Sequence, residues 1–268
     1  MAERLFQLTH SKVQTFLRCP KQYWFRYLSG LPKPPDPLHV PGIIGTGVHR
    51  AMKVLGETDD AECGRNELDA YLHMPTHAEA GPGTDAFDRA FAIYATGVTA
   101  HDSISVSVRR FVERATWAPD RERGFTVWAK IDRIDEVEPG RWQVIDWKTG
   151  YVDRDEATDE QLDLAHVALR KTEGKRVPEA SVVRAIAWNL RTGSRRERDL
   201  HKRHADGTMQ RYFRMYERMR EYEASGRPWD AVPGPMCAYC EWRNQCPDAD
   251  AIPAASWDDD TAELLSDD

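Results

Sequence analysis

A length of 268 residues allows one full hydrophobic core, and 41% hydrophobic with 30% charged residues is the balance of a soluble globular protein. No stretch reaches the roughly 18 apolar residues of a membrane span, and the first residues carry no apolar run of the signal-peptide kind, which favours a cytoplasmic protein. The net charge of -7 lacks the basic excess typical of nucleic-acid-binding proteins without excluding such binding.

The N-terminal segment is predicted to form two helices separated by a proline. Ser11 and Gln14 have the spacing of a capping box, which indicates a helix start, and the aromatic-rich helical pattern continues to Leu28. Pro20 has no backbone N–H and cannot continue a helix, so we expect a break at Cys19 and Pro20.

The following hundred residues are predicted to be mostly helical. Five prolines make residues 31–41 an irregular loop. A helix follows at about 43–56, and residues 57–115 have the pattern of a helical insertion.

A hairpin is predicted next. Residues 125–132 alternate between apolar and polar side chains, which is the period of a strand, and residues 142–148 form a second strand. We expect a three-residue loop that ends at Gly140 in the left-handed conformation. With that loop length Asp132 faces Asp146, whereas a two-residue loop would turn Asp132 to the other face. Further elements are predicted after the hairpin: a helix at 159–171, a strand at 181–190 and a helix at 208–224.

Three charged residues of this hairpin indicate metal-assisted chemistry. Asp146 and Lys148 lie two residues apart and therefore share a strand face. Asp132 and Asp146 repel each other when buried together unless a cation lies between them. Magnesium and manganese take oxygen ligands, polarise a phosphodiester and lower the pKa of a bound water, and a lysine stabilises the developing charge. An Asp-x-Lys triplet alone is more often part of an ordinary charged surface.

Two motifs on the hairpin resemble those of a known enzyme family. Residues 144–150, VIDWKTG, resemble the V-x-D-Y/W-K-T/S-G signature of the RecB-like branch of the PD-(D/E)XK nuclease superfamily. Residues 129–135, AKIDRID, resemble its G-x-x-D-R-I/V-D motif. The resemblance implies an α/β fold with a restriction-endonuclease-like core, in which helices flank a mixed central sheet. It also implies a Mg2+- or Mn2+-dependent DNA exonuclease that acts on single-stranded ends.

The same resemblance implies roles for two residues outside the hairpin. His49 would complete the metal site with Asp132 and Asp146, although a lone histidine on a helix is more often structural. Gln161, on the helix after the lysine, would contact DNA near the metals.

Three positions leave alternatives open. Ala129 stands where the family has a glycine and Ala165 where it has a tyrosine, so the alternative function is a catalytically inactive DNA-binding module of the same fold. Glu113 stands where the family often has a glutamate, and its other interpretation is a solvated acid at a helix end.

The five cysteines, an odd number, favour metal binding over disulfides. Cys237, Cys240 and Cys246 lie within ten residues of one another, and Cys19 is the natural fourth ligand. One early cysteine before a proline and a late C-x2-C-x5-C resemble the RecB-like nucleases that carry a 4Fe-4S cluster. Cys63 has no partner spacing.

The implied cluster would define an iron-sulfur subdomain of residues 11–30 and 228–248. Its expected role is structural, because it would join distant parts of the chain. Zinc bound by the same four thiols is the alternative.

We expect one nuclease domain over residues 1–256, followed by an acidic tail over residues 257–268. The tail carries six acidic and no basic residues, which is typical of a solvated end. The sequence has no helicase motif, so a motor would be a separate helicase or recombination partner protein. Recombination, repair, and phage- or CRISPR-related DNA processing all suit such a nuclease.

Overall fold

The computed structural model describes residues 5–34, 40–104, 108–150, 155–172, 177 and 181–249, so the predicted acidic tail lies outside the described residues. The helices and strands are β1 (Phe6–Leu8), α1 (His10–Arg18), α2 (Pro20–Tyr27), α3 (Val40–Thr58), α4 (Ala61–Leu72), α5 (Asp85–Ser103), β2 (Arg109–Asp120), β3 (Phe125–Glu138), β4 (Arg141–Lys148), α6 (Asp155–Thr172), β5 (Val183–Asn189), β6 (Arg195–Leu200) and α7 (Lys202–Ala224). Short 3-10 turns occur at Pro75–Ala80, Pro235–Tyr239, Arg243–Gln245 and Pro247–Ala249. None of the described helices is both long and apolar enough to cross a membrane.

The six strands of the described residues form one mixed sheet. Strand β3 pairs antiparallel with β2 along one edge, and its other edge is shared by β1, in parallel, and β4, antiparallel. Strand β5 lies parallel to β4 after the crossover helix α6, and β6 pairs antiparallel with β5. The expected α/β fold with a mixed sheet between helices is therefore confirmed.

Helices cover both faces of this sheet. The α3–α5 layer packs against Ile145 and Trp147 of β4, together with Ile186 and Trp188 of β5. The alternate residues of β4 and β5 point to the opposite face of the sheet. Helix α6 covers this face, and Val144 of β4 packs there. Because both faces are buried, β4 is apolar on both sides at its centre.

Helix α1 begins two residues earlier than the sequence predicts. Thr9 is the N-cap, and its side chain accepts a hydrogen bond from the Lys12 backbone N–H, so the capping box predicted from Ser11 and Gln14 is wrong. The predicted break is confirmed, since α1 ends before Cys19 and α2 begins at the following proline.

The helical pattern predicted through residue 115 is wrong at its end. Helix α5 ends at Ser103, and Arg109–Asp120 form β2 along the edge of β3. Most residues of β2 are half-buried on both faces, so the strand lacks the alternation that identifies a strand in sequence.

The hairpin of β3 and β4 has the predicted register but a different loop. Glu138 pairs with Arg141, so the loop has two residues and not three, although Gly140 takes the predicted left-handed conformation with φ +76. A register shift between Glu136 and Glu138 adds one residue to β3, as in a β-bulge. This extra residue compensates for the shorter loop and leaves the strand register beside Asp132 as predicted.

Candidate active site

The predicted hairpin residues meet where β3 and β4 separate. The pairing of the two strands extends to Arg133 and Ile145. Beyond that pair the Asp132 carboxylate accepts a hydrogen bond from the Trp147 backbone N–H at 2.9 Å. A cavity of about 330 Å³ opens in this gap, and its polar lining includes His10, Lys130, Asp146 and Gln161.

Asp146, Lys148 and Gln161 form a closed ring of contacts at the cavity. The Lys148 ammonium lies 2.8 Å from Asp146 Oδ2 and donates to Gln161 Oε1 at 2.6 Å. Gln161 in turn donates to Asp146 Oδ1 at 2.7 Å. Helix α6 therefore supplies an amide that holds both charged residues of the hairpin in place.

Burial raises the pKa of the Asp146 carboxyl. The Lys148 ammonium acts in the opposite direction, and the nearby Asp132 carboxylate adds to the increase. The ionised form of Asp146 is thus costly in this environment, and a cation bound between the two carboxylates would remove much of that cost.

His49, Glu113 and Asp132 form a second group beside this ring. One donor atom from each residue lies within 4.8 Å of the other two. His49 Nδ1 is 3.6 Å from Asp132 Oδ2. Burial lowers the pKa of His49, but Asp132, Asp146 and Glu113 outweigh it, so the pKa is raised. Two carboxylates with one imidazole suit a divalent metal ion such as Mg2+ or Mn2+.

Glu113 reaches this group through an unusual backbone conformation. Its φ is +51, in the left-handed region, which costs on the order of 1–3 kcal/mol for a residue other than glycine. Its neighbours Val112 and Arg114 pair regularly with β3, on either side of the position opposite Asp132. The strain is therefore confined to the residue that supplies the third donor, and no sequence motif signals it.

A buried network of charges holds the strand next to Asp132. Arg133 Nε donates to Asp135 Oδ2 at 2.7 Å, and Gln143 of β4 donates to the same oxygen at 3.1 Å. Arg133 also lies 3.0 Å from His101 Nδ1 of α5. Because Arg133 and Asp135 are almost fully buried, this network ties the backbone at Asp132 to β4 and to the helical layer.

His10 is a cavity residue that the sequence analysis missed. It begins α1, and its Nδ1 lies 3.3 Å from the Tyr212 hydroxyl of α7. Burial and the Lys148 charge lower the pKa of His10 to about 4, so the ring is neutral near pH 7. Its position depends on how α1 and α7 pack over β3, and the sequence has no motif for that packing.

The four predicted cluster cysteines lie on two segments that pack together. The Phe25 ring of α2 stacks on Trp242 with 5.3 Å between ring centroids. The Lys21 backbone N–H donates to the Asp230 carbonyl at 3.0 Å, so α2 contacts the C-terminal segment at two points. The segment that contains Cys19, at the start of α2, therefore contacts the segment that contains Cys237, Cys240 and Cys246.

In the part of the chain that the structure describes, these thiols form no preformed site for a cluster or for zinc. Among the described residues, none of the four belongs to a group of three donor atoms within 4.8 Å, and all are free thiols. Zinc–sulfur bonds of about 2.3 Å would bring tetrahedral thiolates to within roughly 4 Å of one another. Cys63 lies on α4, exposed to solvent.

The family assignment rests on nearly the whole chain. Residues 7–247 match the sequence profile of the PD-(D/E)XK nuclease superfamily. The chain belongs to this superfamily. The mixed sheet between helical layers is consistent with the restriction-endonuclease-like core of a PD-(D/E)XK nuclease.

The fold of this PD-(D/E)XK protein is similar to that of a solved structure at low sequence identity. That structure is of a protein from Eubacterium rectale with the provisional description of an exonuclease, with a TM-score of 0.56 and 12% identity over 99% of this chain and 95% of that chain. The structure of SSO0001 has a TM-score of 0.37 and 12% identity over 85% of this chain and 93% of that chain, a likeness too low to add to the assignment. No curated protein matches the chain at a significant level.

Proposed function

We propose that this protein is a metal-dependent DNA exonuclease that acts on single-stranded ends. Asp132 and the Asp146-Trp147-Lys148 triplet have the order of residues in the superfamily's name. The observation that carries the proposal is that the group of His49, Glu113 and Asp132 lies beside the ring of Asp146, Lys148 and Gln161.

The side chains divide the chemistry between them. His49, Asp132 and Asp146, with Glu113, would hold Mg2+ or Mn2+. The bound metal supplies a polarised phosphodiester and a more acidic water for in-line attack. Lys148 donates a hydrogen bond to the phosphate as negative charge develops there. Gln161 holds the Lys148 ammonium beside Asp146 and would contact the DNA backbone.

The decisive test is cleavage of end-labelled single- and double-stranded DNA with Mn2+ or Mg2+. Asp146→Asn keeps the shape of the side chain and removes its charge, so we expect cleavage to fall by about a hundredfold or more. Asp206→Asn, on the exposed side of α7, is the matched control and retains activity. If both the wild type and Asp146→Asn bind DNA without cleaving it, the inactive DNA-binding module is the correct function.

We also infer that Cys19, Cys237, Cys240 and Cys246 hold a 4Fe-4S cluster. Soft thiolates select iron-sulfur clusters or zinc over magnesium, and a cluster of four irons spreads its thiolates more widely than one zinc ion does. Burial raises the pKa of the Cys240 thiol to about 11, so this thiol stays protonated near pH 7 unless a metal binds its sulfur.

Protein purified without oxygen should be brown and contain iron and sulfide in the ratio of a 4Fe-4S cluster. Cys19→Ser should lose most of this colour, whereas Cys63→Ser, which changes an exposed thiol, should keep it. Colourless protein with one zinc per chain would show that zinc occupies the four thiols.

A further inference from the structure

Strands β2 and β3 carry a solvent-accessible face that leads to the metal-ligand group. Trp117 of β2 pairs directly with Trp128 of β3, and Lys130 follows two residues further toward Asp132. Alternate residues of a strand share a face, so Trp128, Lys130 and Asp132 lie in one row. Trp117 is 49% exposed and the Lys130 side chain is 51% exposed. We call Trp117, Trp128 and Lys130 the tryptophan face.

The opposite face of the same strands is fully packed. Ala118 and Val127, the neighbours of the two tryptophans, are 0% exposed, and they belong to a core that includes α7. The Phe125 ring stacks on Phe213 and Tyr216 of that helix. Trp117 therefore adds little to the core, and its indole remains open to a ligand.

Lys130 connects the tryptophans to the candidate metal site. Its ammonium contacts the Glu113 carboxylate, a member of the donor group. Trp128 is four residues from Asp132 on β3, which corresponds to about 13 Å of strand. That distance is about four stacked nucleotides at 3.4 Å each, and fewer if the DNA strand is extended.

We propose that the tryptophan face binds the bases of single-stranded DNA whose scissile phosphate lies at the metal-ligand group. This inference rests on the proposed nuclease function and specifies the path of its substrate. Unpaired bases have open π-faces that stack on indole rings, and Lys130 meets a backbone phosphate between them and the site. A duplex keeps its bases stacked on one another, so the face selects single strands.

The test measures binding of a fluorescent single-stranded oligothymidine and of a duplex of equal length, with EDTA present to prevent cleavage. Trp117→Ala should raise the dissociation constant for the single strand by about fivefold to a hundredfold, the effect of losing one base stack. Trp117→Phe should restore most of the affinity, because a phenyl ring also stacks. Duplex binding should not change.

Met74→Ala is the matched control, because Met74 is 44% exposed and lies between α4 and α5. It should bind the single strand like the wild type. A strand of the same length in which every base is replaced by an abasic site should bind Trp117→Ala and the wild type equally. The inference is overturned if Trp117→Ala binds single-stranded DNA with the wild-type affinity. It is also overturned if the variant loses affinity for single-stranded and duplex DNA by the same factor. Since no cleavage is needed, this result is independent of the Asp146→Asn assay.

Discussion

His166 is a fully buried histidine on α6 whose surroundings favour the neutral ring. Its Nε2 accepts a hydrogen bond from Arg170 Nε at 2.6 Å. Burial, followed by the Arg170 charge, lowers the pKa of His166 to about 3. Protonation would therefore break an internal hydrogen bond and place two cations side by side.

We expect the free energy of unfolding to fall as the pH decreases from 6.5 toward 3. In this interval the unfolded chain binds a proton at residue 166 and the folded chain does not, so acid favours unfolding. His166→Gln should flatten this part of the curve in urea denaturation between about pH 7 and pH 5. Leu169→Val on the same helix should lower stability at every pH with the wild-type slope. Equal slopes for wild type and His166→Gln would contradict the neutral assignment.

The positions of Asp132, Asp146 and Lys148 were predictable because strand alternation fixes which residues share a face. Asp146 and Lys148 needed only their spacing, and Gln161 followed from the family resemblance. His10 and Trp117 have no such signal, since their exposure to the cavity or solvent depends on helices far away in the sequence. Glu113 was a candidate because the family often has a glutamate there. Its left-handed backbone conformation was not predictable, because glutamate rarely adopts it.

At the level of elements, α4 packs closely on α3 and α5 because Gly64 has no side chain. A Cβ at this position would lie 2.8 Å from the Ala51 carbonyl oxygen of α3 and would overlap the Tyr94 hydroxyl of α5. That hydroxyl donates to the Ala61 carbonyl at 2.8 Å, so it is not free to move aside.

Gly64→Ala should therefore lower the free energy of unfolding by about 1–3 kcal/mol through overpacking. Gly207→Ala on α7 is a control of opposite sign, because a Cβ there meets no atom within 4 Å. Alanine replaces a flexible glycine inside that helix and should stabilise the protein by about 0.5–1 kcal/mol. Urea denaturation of both variants checks the prediction. Unchanged stability in Gly64→Ala would contradict the close packing of α4.

The sheet illustrates which elements are accessible to sequence reasoning. Strand β3 alternates between apolar and polar residues, and a glycine marks the turn before β4. The hairpin and its register were therefore predicted correctly, although the predicted loop length was wrong. Strand β2 is half-buried on both faces, and β6, with sequence RRERDL, is almost entirely charged. These two strands form because they pair with a neighbouring strand, and the local sequence pattern does not indicate that pairing.

At the level of the whole molecule, the N-terminal elements have partners far along the chain. Strand β1 pairs with the start of β3, from Phe6 to Phe125. Helix α2 contacts the C-terminal segment through Phe25 and Trp242. Contacts between such distant residues slow folding, because a long loop must close before they form.

The position of α2 has a consequence during protein synthesis. During synthesis, α2 emerges from the ribosome roughly two hundred residues before its partners Asp230 and Trp242. A chain that stops before residue 230 already contains His49, Asp132, Asp146 and Lys148, yet the Phe25 ring of α2 lacks Trp242, on which it stacks. Such a partial chain therefore differs from the folded protein by an apolar ring on α2 without its partner, the kind of surface that chaperones and proteases recognise.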